Sequence, residues 1–180
     1  MASPMVDVRQ LLGPSLWRNA GEGEVTTVST ATALKDNVVG VFFTKDGSSS
    51  DEGFACTLKE AYQSLKTNNE LFEVVHVGLS NDPDGFKREF EGMPWLSVPF
   101  GKQEEVVKTL GVREFPCLSM IRPDGELLAK NARDTVIHDP QGDQFPWLET
   151  TVDVNVGIVH WLIVFLGWFF VWMLPSTLAN

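Results

Sequence analysis

The sequence predicts an α/β domain, with a mixed sheet flanked by helices, followed by one C-terminal transmembrane helix. Two apolar runs rich in β-branched residues, at 37–43 and 71–79, have the composition of strands covered on both faces. The residues between them, at 49–68, place apolar side chains at helical spacing. The 19 residues from Val156 to Leu174 contain no Asp, Glu, Lys or Arg.

The order of the elements makes the sheet mixed. The first strand, helix and second strand form a β-α-β unit, which pairs strands in parallel, whereas a later hairpin pairs them antiparallel. The later elements are predicted helices at 83–90 and 103–110, an irregular link at 93–100, and strands at 117–121 and 127–130 joined by the turn Arg122-Pro123-Asp124-Gly125. Near the N-terminus, Trp17 and Arg18 lie either in a first edge strand or in a docking arm.

The C-terminal apolar run is long enough to cross a bilayer. At about 1.5 Å per residue it spans roughly 28 Å as a helix, close to the thickness of a hydrocarbon core. A buried helix of a soluble domain usually keeps a polar face, and here only His160 interrupts the apolar surface. We therefore predict a soluble domain at 1–150 and an anchor with a short tail at 151–180. The N-terminus shows no apolar signal region, so we expect insertion through the C-terminal helix, as in tail-anchored proteins.

One stripe of the predicted anchor suits contact with another helix. His160, Val164, Gly167 and Val171 recur at spacings of four, three and four residues. The small residue at the centre lets a second helix approach closely. We expect this stripe to contact another protein subunit within the membrane.

The charge of the chain limits its partners. All charged residues precede Val154, so the formal charge of −10 lies entirely ahead of the apolar run. An acidic domain is repelled by nucleic acid and by anionic headgroups, so neither is an expected partner. The three histidines and two cysteines lack metal-ligand spacing, and we expect no metal and no cofactor.

Several segments resemble one family in sequence and in order. They are VVGVFF, GFACTLKEAY, FEVVHVGLSND, EGMPWLSVPF, VREFPCLSMIRPDG and HDPQGDQFPW. Together they resemble tryparedoxins and nucleoredoxins, which are thioredoxin-fold oxidoreductases, over about Leu11 to Trp147. The resemblance implies a thioredoxin-like sheet. It also implies that Pro116 is the cis-proline that faces the redox site.

The catalytic segment of this family is WCPPC, placed between the first buried strand and its helix. Alignment on Gly53 and Phe54 puts that segment at 47–51, so that Ser48 takes the position of the nucleophile and Asp51 that of the resolving cysteine. A hydroxyl cannot form a reversible S–S bond, and thiol–disulfide exchange needs a thiolate. The resemblance therefore predicts a degenerate site without catalytic residues, with Asp51 in the first turn of a capped helix.

The two cysteines allow two interpretations. Cys56 and Cys117 both lie in apolar runs, which predicts buried thiols with little reactivity. Their helix and strand are neighbours in the implied fold, so an atypical redox pair is the alternative. Beside the DPxG turn, His138 and Asp139 are expected to be a solvated surface pair.

These observations favour a redox-inactive, membrane-anchored accessory subunit of a larger membrane complex. One alternative is an atypical membrane-anchored thiol–disulfide oxidoreductase that uses Cys56 or Cys117. Another is a peptide-binding module without redox activity that uses the groove beside Pro116. The resemblance implies a kinetoplastid or euglenozoan origin. A mitochondrial membrane, with a respiratory-type complex, is then the expected location, and the endoplasmic reticulum is the alternative.

Overall fold

The computed structural model describes residues 5–21, 23–45 and 49–149. The chain divides after Glu149 into two units, and the second lies outside the described residues. Within those three ranges, no helix is long and apolar enough to cross a membrane. Several predictions fall outside the described residues: the anchor at 156–174 with His160, Val164, Gly167 and Val171, and the degenerate position Ser48.

Seven strands of the described residues form one mixed sheet. They are β1 (Ser15–Gly21), β2 (Glu24–Ser29), β3 (Val38–Thr44), β4 (Phe72–Gly78), β5 (Leu96–Ser97), β6 (Cys117–Ile121) and β7 (Leu127–Ala129). Their spatial order is β2-β1-β5-β4-β3-β6-β7. The three central strands β5, β4 and β3 run parallel, and the outer pairs are antiparallel. The predicted α/β class with a mixed sheet is confirmed.

Helices cover both faces of this sheet. They are α1 (Val8–Leu12), α2 (Thr30–Ala33), α3 (Ser49–Thr67), α4 (Pro83–Phe90), α5 (Gln103–Leu110) and α6 (Arg133–His138). On one face, which we call the α3 face, α3, α4 and α6 pack on Phe42 and its neighbours. On the other, which we call the α5 face, α1 and α5 pack on Val39, Val41 and Phe43. Alternate residues of β3 thus serve two separate apolar cores.

From β3 through β7, the predicted elements agree with the structure to within two residues at each end, with one difference. Leu96 and Ser97, predicted as part of an irregular link, form the short strand β5, because β1 and β4 supply partners on both sides. Trp17 and Arg18 lie in β1. That strand is not an edge, because β2 pairs along its outer side.

The segment after α6 folds around a buried carboxylate. Asp139 accepts hydrogen bonds from the backbone N–H groups of Asp143 and Gln144 at 2.9 and 2.8 Å. It also accepts one from Trp147 Nε1 at 2.8 Å, and both Asp139 and Trp147 are buried. The expectation of a solvated pair is wrong for Asp139, because three donors inside the closed loop replace its water. His138 is exposed.

Candidate functional site

A surface cavity of about 710 Å³ lies between the carboxyl end of β3, the N-terminal part of α3 and helix α4. Its lining includes the hydroxyl residue Thr44 at the end of β3. The α3 side contributes Asp51, Cys56 and Lys59, and the α4 side contributes Glu89 among others. The cavity therefore brings together a thiol, a hydroxyl, carboxylates and an ammonium group beside the predicted degenerate site.

Asp51 takes the position that the resemblance gives to the resolving cysteine. Its side chain is buried, at 4% exposure. One carboxylate oxygen accepts a hydrogen bond from the backbone N–H of Lys45 at 3.0 Å. Asp51 thus ties the first turn of α3 back to the residue that follows β3. Sequence reasoning placed Asp51 in this first turn but missed its burial and its hydrogen bond with Lys45.

Pro116 directly precedes β6, and the Phe115–Pro116 peptide bond is cis. The resemblance implied this isomer. The turn between β6 and β7 lies at the other end of β6, beside Met5 and Val6. There, Val6 N–H donates to the carbonyl of Gly125 at 2.7 Å.

Cys117 is the first residue of β6 and is 4% exposed. It packs in the α5-face core, and its thiol donates to the backbone carbonyl of Lys130 at 3.4 Å. Burial raises the pKa of this thiol to about 11. Because the thiolate is the reactive species, Cys117 is held in an unreactive form. The prediction of a buried thiol is confirmed here.

Cys56 differs from that prediction, because its side chain is exposed and lines the cavity. It lies two residues from both Phe54 and Leu58, which pack on the sheet, so about 200° of helical rotation turns it outward. Since α3 covers one face of the sheet and Cys117 packs on the other, the two thiols lie on opposite sides. The structure does not bring them together as a pair.

A buried histidine lies behind the cavity and was missed by the sequence analysis. His76, in β4, places Nε2 2.8 Å from Thr44 Oγ1, and its Nδ1 is 3.5 Å from Ser97 Oγ. The ring stacks on Phe90, with centroids 6.0 Å apart. Burial lowers the pKa of His76 to about 3, so the ring is neutral at physiological pH. The available signal was a single polar residue within the apolar run LFEVVHVGL.

The polar contacts continue from this histidine toward the surface. Thr44 Oγ1 lies 3.5 Å from a carboxylate oxygen of Glu89, and both residues line the cavity. Within the described ranges, no three or more His, Cys, Asp or Glu side chains are grouped so that they could hold a metal ion.

Comparison with known proteins places this arrangement in a family. The thioredoxin-like family matches residues 36–127. Tryparedoxin from Trypanosoma brucei brucei is 33% identical over 129 residues, which cover 69% of this chain and 86% of that protein. The crystal structure of native tryparedoxin I from Crithidia fasciculata has 31% identity and a TM-score of 0.68, and the match covers 79% of this chain and 99% of that one.

The nucleoredoxins are longer relatives. Human nucleoredoxin is 28% identical over 142 residues, which are 77% of this chain but 32% of nucleoredoxin. The match thus spans about a third of the length of human and mouse nucleoredoxin. Sequence match, strand order and the cis-proline agree on one conclusion: the chain belongs to the thioredoxin-like family, with tryparedoxins and nucleoredoxins as its homologues.

Proposed function

We propose that this protein is a thioredoxin-fold accessory subunit that is held in a membrane and has no dithiol chemistry of its own. The observation that carries the proposal is the environment of Asp51. The resemblance places this carboxylate at the position of the resolving cysteine, and the carboxylate is buried and hydrogen-bonded to Lys45 N–H. The position therefore has a structural use that does not need sulfur.

The cysteine inventory supports the same conclusion. Dithiol exchange requires a nucleophilic thiolate and a second thiol close enough to resolve the mixed disulfide. The chain has two cysteines, with Cys56 exposed on α3 and Cys117 buried on the opposite face of the sheet. Neither follows the C-x-x-C spacing of the family, and the two thiols lie on opposite faces of the sheet.

The membrane part of the proposal rests on the sequence. The uncharged run from Val156 to Leu174 has the length and apolarity of a single span. In this proposal His160, Val164, Gly167 and Val171 contact other subunits of a membrane complex, and the acidic domain contacts basic surfaces of its neighbours. A mitochondrial respiratory-type complex is the assembly we propose.

An activity assay tests the absence of dithiol chemistry. The full-length protein is mixed with a dithiol reductant and a protein disulfide such as insulin, and disulfide reduction is compared with that of a Cys56→Ser/Cys117→Ser variant. We expect the two rates to be equal. A second variant, Ser48→Cys/Asp51→Cys, restores the family spacing and is expected to exceed both. Catalysis by the unmodified chain would refute the proposal.

The size of the endogenous protein tests the subunit role. After extraction in mild detergent, we expect it to migrate with a large assembly on native electrophoresis. The other members of that assembly, identified by mass spectrometry, would name the complex. Migration as a free chain of 20.0 kDa plus detergent would refute the subunit role while leaving the activity result untouched.

One observation favours a second candidate function, an atypical oxidoreductase that uses a single thiol. Cys56 is exposed and lines the 710 Å³ cavity together with Lys59. This candidate predicts that Cys56→Ser abolishes an activity which Cys117→Ser leaves intact. Equal activity of the two single variants would exclude it.

A further inference from the structure

Strand β2 forms one edge of the sheet, and within the described ranges no strand pairs with its outer side. The backbone direction of each residue follows from its pairing with β1. Thr30 N–H donates to the carbonyl of Pro14 at 3.1 Å, which makes that pair a hydrogen-bonded one. In an antiparallel ladder such pairs alternate with non-bonded pairs.

The alternation identifies the groups at the open edge. Thr26 and Val28 bond to β1, because they fall two and four residues before Thr30 in the same register. Val25 and Thr27 therefore direct their N–H and C=O groups away from the sheet, and Ser29 directs its N–H the same way. The carbonyl of Ser29 is used by α2, whose N-cap is Ser29, so each copy of the chain offers three donors and two acceptors at this edge.

This edge lacks the usual protection against strand pairing. Exposed edges commonly carry lysine, proline or a central bulge. From Glu24 to Ser29 the strand reads EVTTVS, and its only charge is at the first residue. The irregularity between Asn19 and Gly21 of β1 lies opposite the first two residues of β2, Glu24 and Val25, and not opposite its centre. In a chain with a net charge of −10, the centre of β2 is thus an uncharged segment at which two acidic copies can meet.

We propose that β2 pairs with β2 of a second copy of this chain, antiparallel and about a two-fold axis at Thr27. This register sets Thr27 opposite Thr27 of the second copy and Val25 opposite Ser29 of the second copy. It is the one register in which all three outward residues of each copy face outward residues of the other. Four backbone hydrogen bonds then join the two sheets into one: two between the Thr27 residues, and one from each Ser29 N–H to the Val25 carbonyl of the other copy.

The side chains fit this register. Thr26 lies opposite Val28 of the second copy, and threonine–valine and threonine–threonine pairs suit neighbouring strands. Glu24 lies opposite Thr30 of the second copy, so no charge faces a like charge. The interface goes beyond the proposed subunit role and does not depend on it, since it requires neither the anchor nor the cavity.

A disulfide across the two-fold axis tests the register. In full-length protein with Cys56→Ser, we introduce Thr27→Cys, and as the matched control Thr26→Cys. Residues opposite each other in a hydrogen-bonded pair have Cα atoms about 5.5 Å apart, within reach of a disulfide. Two copies of residue 26 are offset by about 7 Å along the strand, beyond that reach. We expect mild oxidation to cross-link most of the Thr27→Cys protein and none of the control above background.

A proline variant tests the hydrogen bonds. Thr27→Pro removes the outward N–H in both copies and spares the ladder with β1, so the fold is retained. Loss of two of the four bonds is expected to weaken self-association by about tenfold or more. The measurement is the mass of the full-length protein in detergent by light scattering, with circular dichroism to verify the fold. Two results would overturn the proposal: a monomeric mass for the protein that carries no substitution, or equal cross-linking of the Thr26→Cys and Thr27→Cys variants.

Discussion

The two cysteines of this chain are expected to differ sharply in reactivity. Cys56 is exposed at the cavity, whereas Cys117 is 4% exposed within the α5-face core. The perturbation is alkylation of the folded, full-length protein by iodoacetamide at pH 7. Since only the thiolate attacks this reagent, the rate at each position reports both ionisation and access.

The size of the difference follows from the pKa of Cys117. A thiol with the ordinary pKa of 9.0 is about 1% ionised at pH 7, whereas burial raises the pKa of Cys117 to about 11 and reduces that fraction to about 0.01%. Ionisation alone therefore slows Cys117 about a hundredfold relative to an ordinary thiol. Burial of the Cys117 side chain in the α5-face core slows its alkylation further.

Peptide mass spectrometry of timed samples gives both rates. A Cys56→Ser variant reports Cys117 in isolation, and urea-unfolded protein supplies the control in which the two rates converge. Rates within tenfold of each other in the folded protein would refute the reasoning. They would mean that the α5-face core opens readily, and the oxidoreductase alternative at Cys117 would then regain support.

Three further predictions concern stability, each measured by urea unfolding followed by circular dichroism. Asp139→Ala is expected to lower the free energy of unfolding by about 3 kcal/mol or more, because three N–H donors lose a charged, buried acceptor; a loss below about 1 kcal/mol would contradict this. As pH falls from 6.5 toward 3, the free energy of unfolding is expected to fall by about 1.4 kcal/mol per pH unit, because His76 binds a proton in the unfolded chain but not in its buried position. His76→Phe should show a correspondingly shallower pH slope, and an unchanged slope would exclude His76 as its source. Gly125→Ala should cost about 1–3 kcal/mol, because φ is +95° and a Cβ would press on the carbonyl of Val6, whereas Gly53→Ala in α3, where a Cβ meets nothing within 4 Å, should be neutral or stabilising.

The exposure of Cys56 shows how much a local sequence pattern can predict. Its neighbours Phe54 and Leu58 follow the helical period and pack on the sheet as predicted. The residue between them was assigned to the interior because the run is apolar. Its exposure follows from the helical period, because a residue two positions from both Phe54 and Leu58 points away from the sheet.

Asp139 and His76 show what a local sequence pattern cannot predict for polar residues. Each is a polar side chain in a segment whose pattern does not reveal its partners. Asp139 is buried because donors up to eight residues ahead fold back on it. His76 is buried because β4 lies between β3 and β5, where Thr44 and Ser97 supply its hydrogen bonds.

The sequence by itself determined the order and the boundaries of the central elements. Apolar runs and helical spacing are local properties, and they located β3, α3, β4, α4, α5, β6 and β7 to within two residues. The motifs also indicated the family and the position of the cis-proline. The tertiary structure alone decided that Leu96–Ser97 is a strand, that β2 is the edge, and that the two thiols lie on opposite faces. These features arise from pairing and packing between residues far apart in the chain, which no local period encodes.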